Sequence, residues 1–259
     1  MKVQVQLILF FVIISVSNSF GQFSETIVSD RPGQSNSPYT VGKMVFQLQT
    51  GLQVGGGNAD NYKRNDFELP AYIRFGITDK IELQTQWGLK NSATEFYSRD
   101  FKSSGLNMAN FGLRFNIFEE TDKAPALGFE FIYKTRMMSK DYKPDHPSTK
   151  FNIMASKGFS DLISITTNLG ADFDGFEAQP DGFYTLNLVL SVTDQLSVFF
   201  ENYGNFNADY FDTFFDFGGA YILNNDLQFD LYGGFGYNDD TFDYIVSAGV
   251  SYRITSWRK

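Results

Sequence analysis

Asp66-Phe67-Glu68-Leu69-Pro70-Ala71-Tyr72-Ile73-Arg74-Phe75-Gly76, then Ile77-Thr78-Asp79-Lys80, then Ile81-Glu82-Leu83-Gln84-Thr85-Gln86-Trp87-Gly88-Leu89-Lys90, form two alternating arms around a tight turn. In the first arm Phe67, Leu69, Ala71, Ile73 and Phe75 alternate with Glu68, Pro70, Tyr72, Arg74 and Gly76. In the second, Ile81, Leu83, Thr85, Trp87 and Leu89 alternate with Glu82, Gln84, Gln86, Gly88 and Lys90. Successive side chains on a strand point to opposite faces, so each arm carries one apolar and one polar face. Tilted strands of about ten residues suffice to cross the hydrocarbon core of a bilayer. The stretch therefore predicts a transmembrane β-hairpin.

The same alternation recurs along the chain, near 43–54, 109–117, 127–134, 151–156, 163–172, 184–192, 196–203, 215–223, 227–236 and 244–254. With the two arms of the hairpin this makes twelve strands, an even number as single-chain bacterial barrels require. Connections alternate in length. Short ones fall at 78–80, 118–124, 159–161, 193–195 and 224–226, and longer ones at 55–65, 91–105, 137–149, 173–182, 204–212 and 237–243. Short periplasmic turns and long outer loops are the rule for such barrels. The strand–turn–strand units Ile77-Thr78-Asp79-Lys80-Ile81 and Val192-Thr193-Asp194-Gln195-Leu196 read as hairpin repetition, not as a solenoid. The fold expected is all-β: an antiparallel up-and-down transmembrane barrel of about twelve strands.

Composition agrees. Aromatic residues make up 17% of the 259 residues, yet after the N-terminus no apolar run approaches the length of a membrane helix. There is no cysteine, which excludes a disulfide scaffold and thiolate metal ligands. The formal charge of −9 argues against nucleic acid as a partner.

Residues 1–21 read as a secretory leader, with Lys2, an apolar run from Leu7 to Val16, and small residues at Ser17, Ser19 and Gly21. Cleavage after Gly21 is expected, with Ser19 as the alternative. Residues 22–42, polar and turn-rich with Pro32, Gly33 and Pro38, read as an extended periplasmic lead-in, and 43–259 as the barrel.

Ser29-Asp30-Arg31-Pro32-Gly33-Gln34-Ser35-Asn36-Ser37-Pro38-Tyr39-Thr40-Val41, followed by Gln47 and Gly51, resembles the opening of a family of Gram-negative outer-membrane proteins. That family is labelled for the meta-pathway of phenol degradation, or simply as a transporter. The resemblance implies a barrel in the outer membrane and, through the label, hydrophobic aromatic solutes. It brings no catalytic residues with it.

Three features set which face looks outward. Glycines gather on the polar face, among them Gly51, Gly76, Gly88, Gly112, Gly128, Gly170, Gly218, Gly234, Gly236 and Gly249, as suits a crowded interior. Soluble ligand barrels use about eight strands, and twelve would enclose too large an apolar void. Ser247-x-Gly249-x-x-Tyr252-x-Ile254 resembles the C-terminal signal read by the outer-membrane assembly machinery. The expected location is therefore the cell outer membrane, with its lipids, lipopolysaccharide and that machinery as partners.

The inward charges are the candidate site. Glu68, Glu82, Glu130, Asp172, Glu201, Asp216 and Asp230 oppose Arg74, Lys90, Arg114, Lys134, Arg136 and Arg253. Acids and bases nearly cancel, so no single-sign ring of the ion-selective kind is present. Two readings follow: a salt-bridge network filling the interior, or a narrow mixed-charge passage for small solutes, which residues 22–42 with Asp30 and Arg31 could plug. His146, in Lys143-Pro144-Asp145-His146-Pro147-Ser148, is the single histidine and lacks the partners of a hydrolytic triad. Asn238-Asp239-Asp240-x-x-Asp243 lacks the order of a calcium loop. No catalytic residue, metal site or cofactor is expected. Trp87, Tyr133, Tyr184 and Tyr252 read as membrane girdle, and Phe96, Tyr97, Phe101, Phe206, Tyr210 and Phe211 as loop aromatics at the outer mouth. The function expected is passive passage of small solutes through a narrow mixed-charge lumen, hydrophobic or aromatic ones if the family label applies, with a closed structural or surface-interaction barrel as the alternative.

Overall fold

The computed structural model describes residues 24–238 and 240–255; the leader read at 1–21 lies outside them. Twelve antiparallel strands close a barrel in sequence order. They are β1 (Phe46–Ala59), β2 (Tyr62–Gly76), β3 (Ile81–Phe96), β4 (Arg99–Phe118), β5 (Ala126–Lys134), β6 (Ser148–Gly158), β7 (Ile163–Asp172), β8 (Asp181–Ser191), β9 (Leu196–Phe206), β10 (Thr213–Asn224), β11 (Leu227–Asn238) and β12 (Thr241–Ile254). The first and last strands pair from Phe46↔Ile254 to Asn58↔Phe242, leaving no open edge.

The faces fall as the alternation demands. Phe67, Leu83 and Leu231 lie exposed on the outer surface, while Arg74, Glu82 and Glu201 on the other face are buried. In water this arrangement would be inverted; against lipid it removes every charge from the hydrocarbon and satisfies the backbone within the sheet. Leu231, 60% exposed in mid-strand, gives a direct check. Leu231→Arg is expected to cost about 2–4 kcal/mol of folding stability in phospholipid vesicles, whereas a lumen-facing exchange such as Gln53→Arg costs little. Urea unfolding of the two variants measures the difference.

The short turns share one chemistry. The N–H groups of Ile77 and Thr78 both donate to the carbonyl of Ile81, and those of Val192 and Thr193 to that of Leu196. Phe159 and Ser160 repeat the pattern on Ile163. In each case the hydroxyl of Thr78, Thr193 or Ser160 accepts from the backbone N–H groups two and three residues on, which fixes the reversal.

The long connections differ from the sequence reading. Stretches 55–65 and 91–105, expected as loops, are mostly strand: β1 and β2 pair out to Ala59↔Tyr62, and β3 and β4 out to Phe96↔Arg99. Tyr97 and Ser98, with φ of 46° and 61°, make the two-residue reversal that a tight hairpin needs. Beyond the membrane both faces meet water, so the ladder continues while the apolar alternation that marks a strand fades. The connection at 137–149 does leave the sheet, with a short 3-10 turn at Lys140–Tyr142.

Candidate functional site

Residues 24–42 form no strand, and their partners show where they go. The N–H of Ile27 donates to Asn225 at a short turn, and the carbonyls of Ser24, Glu25 and Thr26 accept from Arg253. Further on, Arg31 reaches β11, forking onto both carboxylate oxygens of Asp230 at 3.1 and 2.8 Å and onto Ser247 at 2.9 Å. The N–H groups of Gln34 and Ser35 donate to Glu201 at 2.6 and 2.8 Å, and Asn36 exchanges hydrogen bonds with Asn168. The chain then returns: Thr40 donates to the carbonyl of Asp79, and the Val41 N–H donates to Glu82. The segment is thus a loop that enters the lumen from the short-turn end, crosses it at Gln34–Asn36, and comes back out to begin β1.

The wall is cut to receive it. Gly51 and Gly249 are register partners on β1 and β12. A Cβ on either would lie within 3 Å of the Arg31 guanidinium, at 2.9 and 2.3 Å. Two adjacent glycines therefore make the notch in which Arg31 turns towards Asp230.

Asp30, beside it, points the opposite way. Arg74 lies 3.2 Å and Arg114 2.9 Å from the same Asp30 oxygen. Arg74 also forks onto Glu82, and Arg114 meets Glu130 at 2.7 Å. Glu82, Arg114 and Glu130 are register partners on β3, β4 and β5. The outcome is a buried chain of alternating charge, Glu82–Arg74–Asp30–Arg114–Glu130, whose middle member belongs to the loop. Burial pushes the Asp30 carboxyl up, but Arg114 and Arg74, with the Ser37 N–H, outweigh it and hold it below its ordinary value of 3.8. A depressed value means that this contact favours the seated loop above the ordinary carboxylate range and is lost only as pH falls through the lowered value. The contribution of Asp30 to closure is therefore expected to be fully present at neutral pH and to be lost only in acid, below the ordinary carboxylate value, as an acid step in conductance that Asp30→Asn removes.

The remaining expected site residues divide by position. Glu201 and Asp216 face the loop: Glu201 takes its backbone N–H groups, and Asp216 accepts from the Gln34 side chain at 3.3 Å. Asp230 holds Arg31. Glu68, Lys134 and Asp172 are only half-buried and lie nearer the outer end, where Lys134 pairs with Asp172 and Glu68 accepts from Asn107 at 2.9 Å. Arg253 sits at the short-turn end, on Asp226 and the carbonyls of residues 24–26. Arg136 lies past the end of β5 and donates to the carbonyl of Pro144. His146 is exposed, its N–H donating to Gly175.

Two cavities lie on either side of the loop. One, of about 490 Å³, is lined by Asp30, Arg31 and Gln34 of the loop and by Glu68, Arg74, Arg114, Glu130, Lys134 and Asp172 of the wall. The other, of about 910 Å³ at the short-turn end, is lined by Glu25, Tyr39, Asp79, Glu119 and Glu120. At its rim Glu120 accepts from Lys157 and from the Gly158 N–H. Burial pushes this carboxyl up, but those donors, the Lys157 charge and the Tyr39 hydroxyl together prevail and hold it below the usual carboxylate range. Sequence reasoning passed over the inward apolar side chains Ile132, Met154, Phe183 and Phe199, which are buried among the polar ones. It also passed over Lys150, whose ammonium sits 4.0 Å from the centre of the Phe183 ring.

A family model described as "Putative MetA-pathway of phenol degradation" matches residues 29–254. Comparison with curated proteins found no match. Among solved structures, an outer membrane channel from Pseudomonas putida F1 is similar with a TM-score of 0.67 at 9% identity, over 86% of this chain and 100% of that one. The translocator domain of the autotransporter NalP from Neisseria meningitidis is similar with a TM-score of 0.58 at 12% identity, over 87% of this chain and 90% of that one. The transport unit of the autotransporter AIDA-I from Escherichia coli gives 0.52 at 9% identity, over 93% and 97%. At these identities the likeness is one of fold.

Proposed function

This chain belongs to the MetA-pathway of phenol degradation family, and on that premise we propose that it is a passive outer-membrane conduit for small solutes. The observation that carries this reading is the pair of cavities in one lumen, parted by a single loop of non-regular chain and not by a packed core. A barrel whose role was only structural would gain by filling that space with side chains, as barrels of about eight strands do. The outer cavity is lined by as many carboxylates as cations, and the cavity at the short-turn end is acidic, with Glu25, Asp79, Glu119 and Glu120; neither lining bars an uncharged solute. The family description suggests aromatic compounds as cargo.

Residues 1–21 fit this reading as an export leader, and 22–42 as the element that narrows the lumen. Lipids of the outer membrane cover the apolar belt; lipopolysaccharide at the outer end and the assembly machinery acting on Ser247–Ile254 complete the partners. The alternative, a closed barrel that meets partners through its outer hairpins, draws on the same loop. Reconstitution of the mature chain in planar bilayers separates the two: discrete small conductance steps and leak of small solutes from vesicles are expected, and the absence of both would overturn the conduit.

A further inference from the structure

The cavity on the outer side of the loop has one wall of unusual composition. Gln49, Tyr72, Gln86 and Asn110 are successive register partners across β1, β2, β3 and β4, so they form one inward row. Gln84 and Gln53 stand on its short-turn and outer sides, and Asn107 lies beside Glu68. Six carboxamides from three strands thus face the same space, with the Tyr72 ring among them.

Their hydrogen bonding is incomplete. Asn110 donates to Gln86 at 3.1 Å, and Asn107 donates to Glu68 at 2.9 Å. Gln49 Nε2, Asn110 Oδ1 and Asn107 Oδ1 are buried without a partner in the protein, and Gln49 and Asn110 are only 1% and 5% exposed. The row therefore holds an unpaired donor at one end and unpaired acceptors at the other, which a solute in the cavity meets as the carboxamides turn towards it. The ionic groups around the cavity add no bias, since five carboxylates are matched by five cations.

We propose that this carboxamide row binds an uncharged, polyhydroxylated solute of about monosaccharide size. A hydroxyl both donates and accepts, so a molecule with several of them can satisfy Gln49, Asn107 and Asn110 together, while its C–H face rests on Tyr72. An aromatic hydrocarbon would displace water from the same atoms and return no hydrogen bond. A phenol, with one hydroxyl, could satisfy one of them. The volume of about 490 Å³ falls in the range, roughly 300–1,000 Å³, typical of small-molecule sites. The inference rests on the conduit reading only in taking this cavity to lie on the solute path, and it names a cargo different in kind from the one the family description suggests.

The test uses the mature chain in phospholipid nanodiscs and saturation-transfer NMR with xylose as the probe. Transfer from protein to xylose is expected, undiminished by an equal concentration of phenol. The double variant Gln49→Leu/Asn110→Leu is expected to weaken it by at least about tenfold, because a site built to pair hydroxyls discriminates strongly once its polar atoms are gone. Phenol displacing xylose, or no transfer at all, overturns the inference; both arms use the unaltered chain and so stand even if the double variant fails to assemble. Unchanged transfer in an assembled double variant also overturns it. Conductance of the same preparation reports separately on the conduit: a conducting barrel without xylose transfer sinks the carboxamide row alone, and a silent barrel that binds xylose sinks the conduit alone.

Discussion

Deleting residues 24–40 is expected to raise single-channel conductance by about an order of magnitude, from small steps to a persistent open level. Twelve strands about 4.8 Å apart, tilted about 40°, close a wall of roughly 12 Å radius. Inward side chains take up about half of that radius, and the space left is close to the width of one extended chain with its own side chains. In the intact protein the Gln34–Asn36 crossing fills that space, held by Glu201, Asn168 and Glu130. Without it the two cavities merge into one water column, and conductance follows its narrowest cross-section. The barrel itself should survive, because the strands pair with one another from β1 round to β12 and none of that ladder uses the loop. A smaller change makes the comparison sharper. Arg31→Ala removes the fork on Asp230 but leaves the Glu201 and Asn168 contacts, so brief openings to the same level are expected instead of a constant one. Bilayer recordings of the three proteins check both points. Equal conductance in the intact and deleted chains would mean that the passage runs elsewhere.

The hairpin at 66–90 made the barrel legible because in lipid a strand must sort its side chains strictly by face. Phe67, Leu69 and Leu83 on one side and Arg74, Glu82 and Gln84 on the other leave little room for another reading, and the structure keeps each on its expected face. The sorting loses force where the constraint ends. Outside the bilayer Gly55-Gly56-Gly57 and Lys63-Arg64-Asn65 still pair, although nothing in their hydropathy marks them as strand. Inside the lumen the constraint is one-sided: charge cannot face lipid, but an apolar side chain can face inward without penalty. Ile132, Met154, Phe183 and Phe199 do so and break no rule that composition could reveal. The loop was the least legible part. Pro32, Gly33 and Pro38 announce irregular chain, yet the opposite directions of the neighbours Asp30 and Arg31 depend on Arg74, Arg114 and Asp230, which lie far away in sequence.

Arg114→Leu is expected to cost about 3–5 kcal/mol of stability, the usual range for removing one partner from a buried ionic cluster. The guanidinium is 1% exposed and serves two acids, Asp30 at 2.9 Å and Glu130 at 2.7 Å. Asp30 would keep Arg74, but Glu130, equally buried, would keep a hydrogen bond from the Asn36 amide at 2.9 Å and only the more distant charge of Lys150. An anion in a confined space with one donor must either draw in water or take up a proton, and both cost free energy. The penalty thus comes from the acid left behind, which the second substitution tests: Glu130→Gln in the Arg114→Leu background should recover a good part of the loss. Arg114→Lys should fall between, since an ammonium keeps the charge but cannot fork onto two carboxylates with the same geometry. Urea midpoints in phospholipid vesicles give the ranking. The same series separates the wall from the loop: deleting residues 24–40 should change conductance greatly and the midpoint modestly, whereas Arg114→Leu should do the reverse, because Arg114 ties β4 to β5 through Glu130 as well as holding the loop through Asp30.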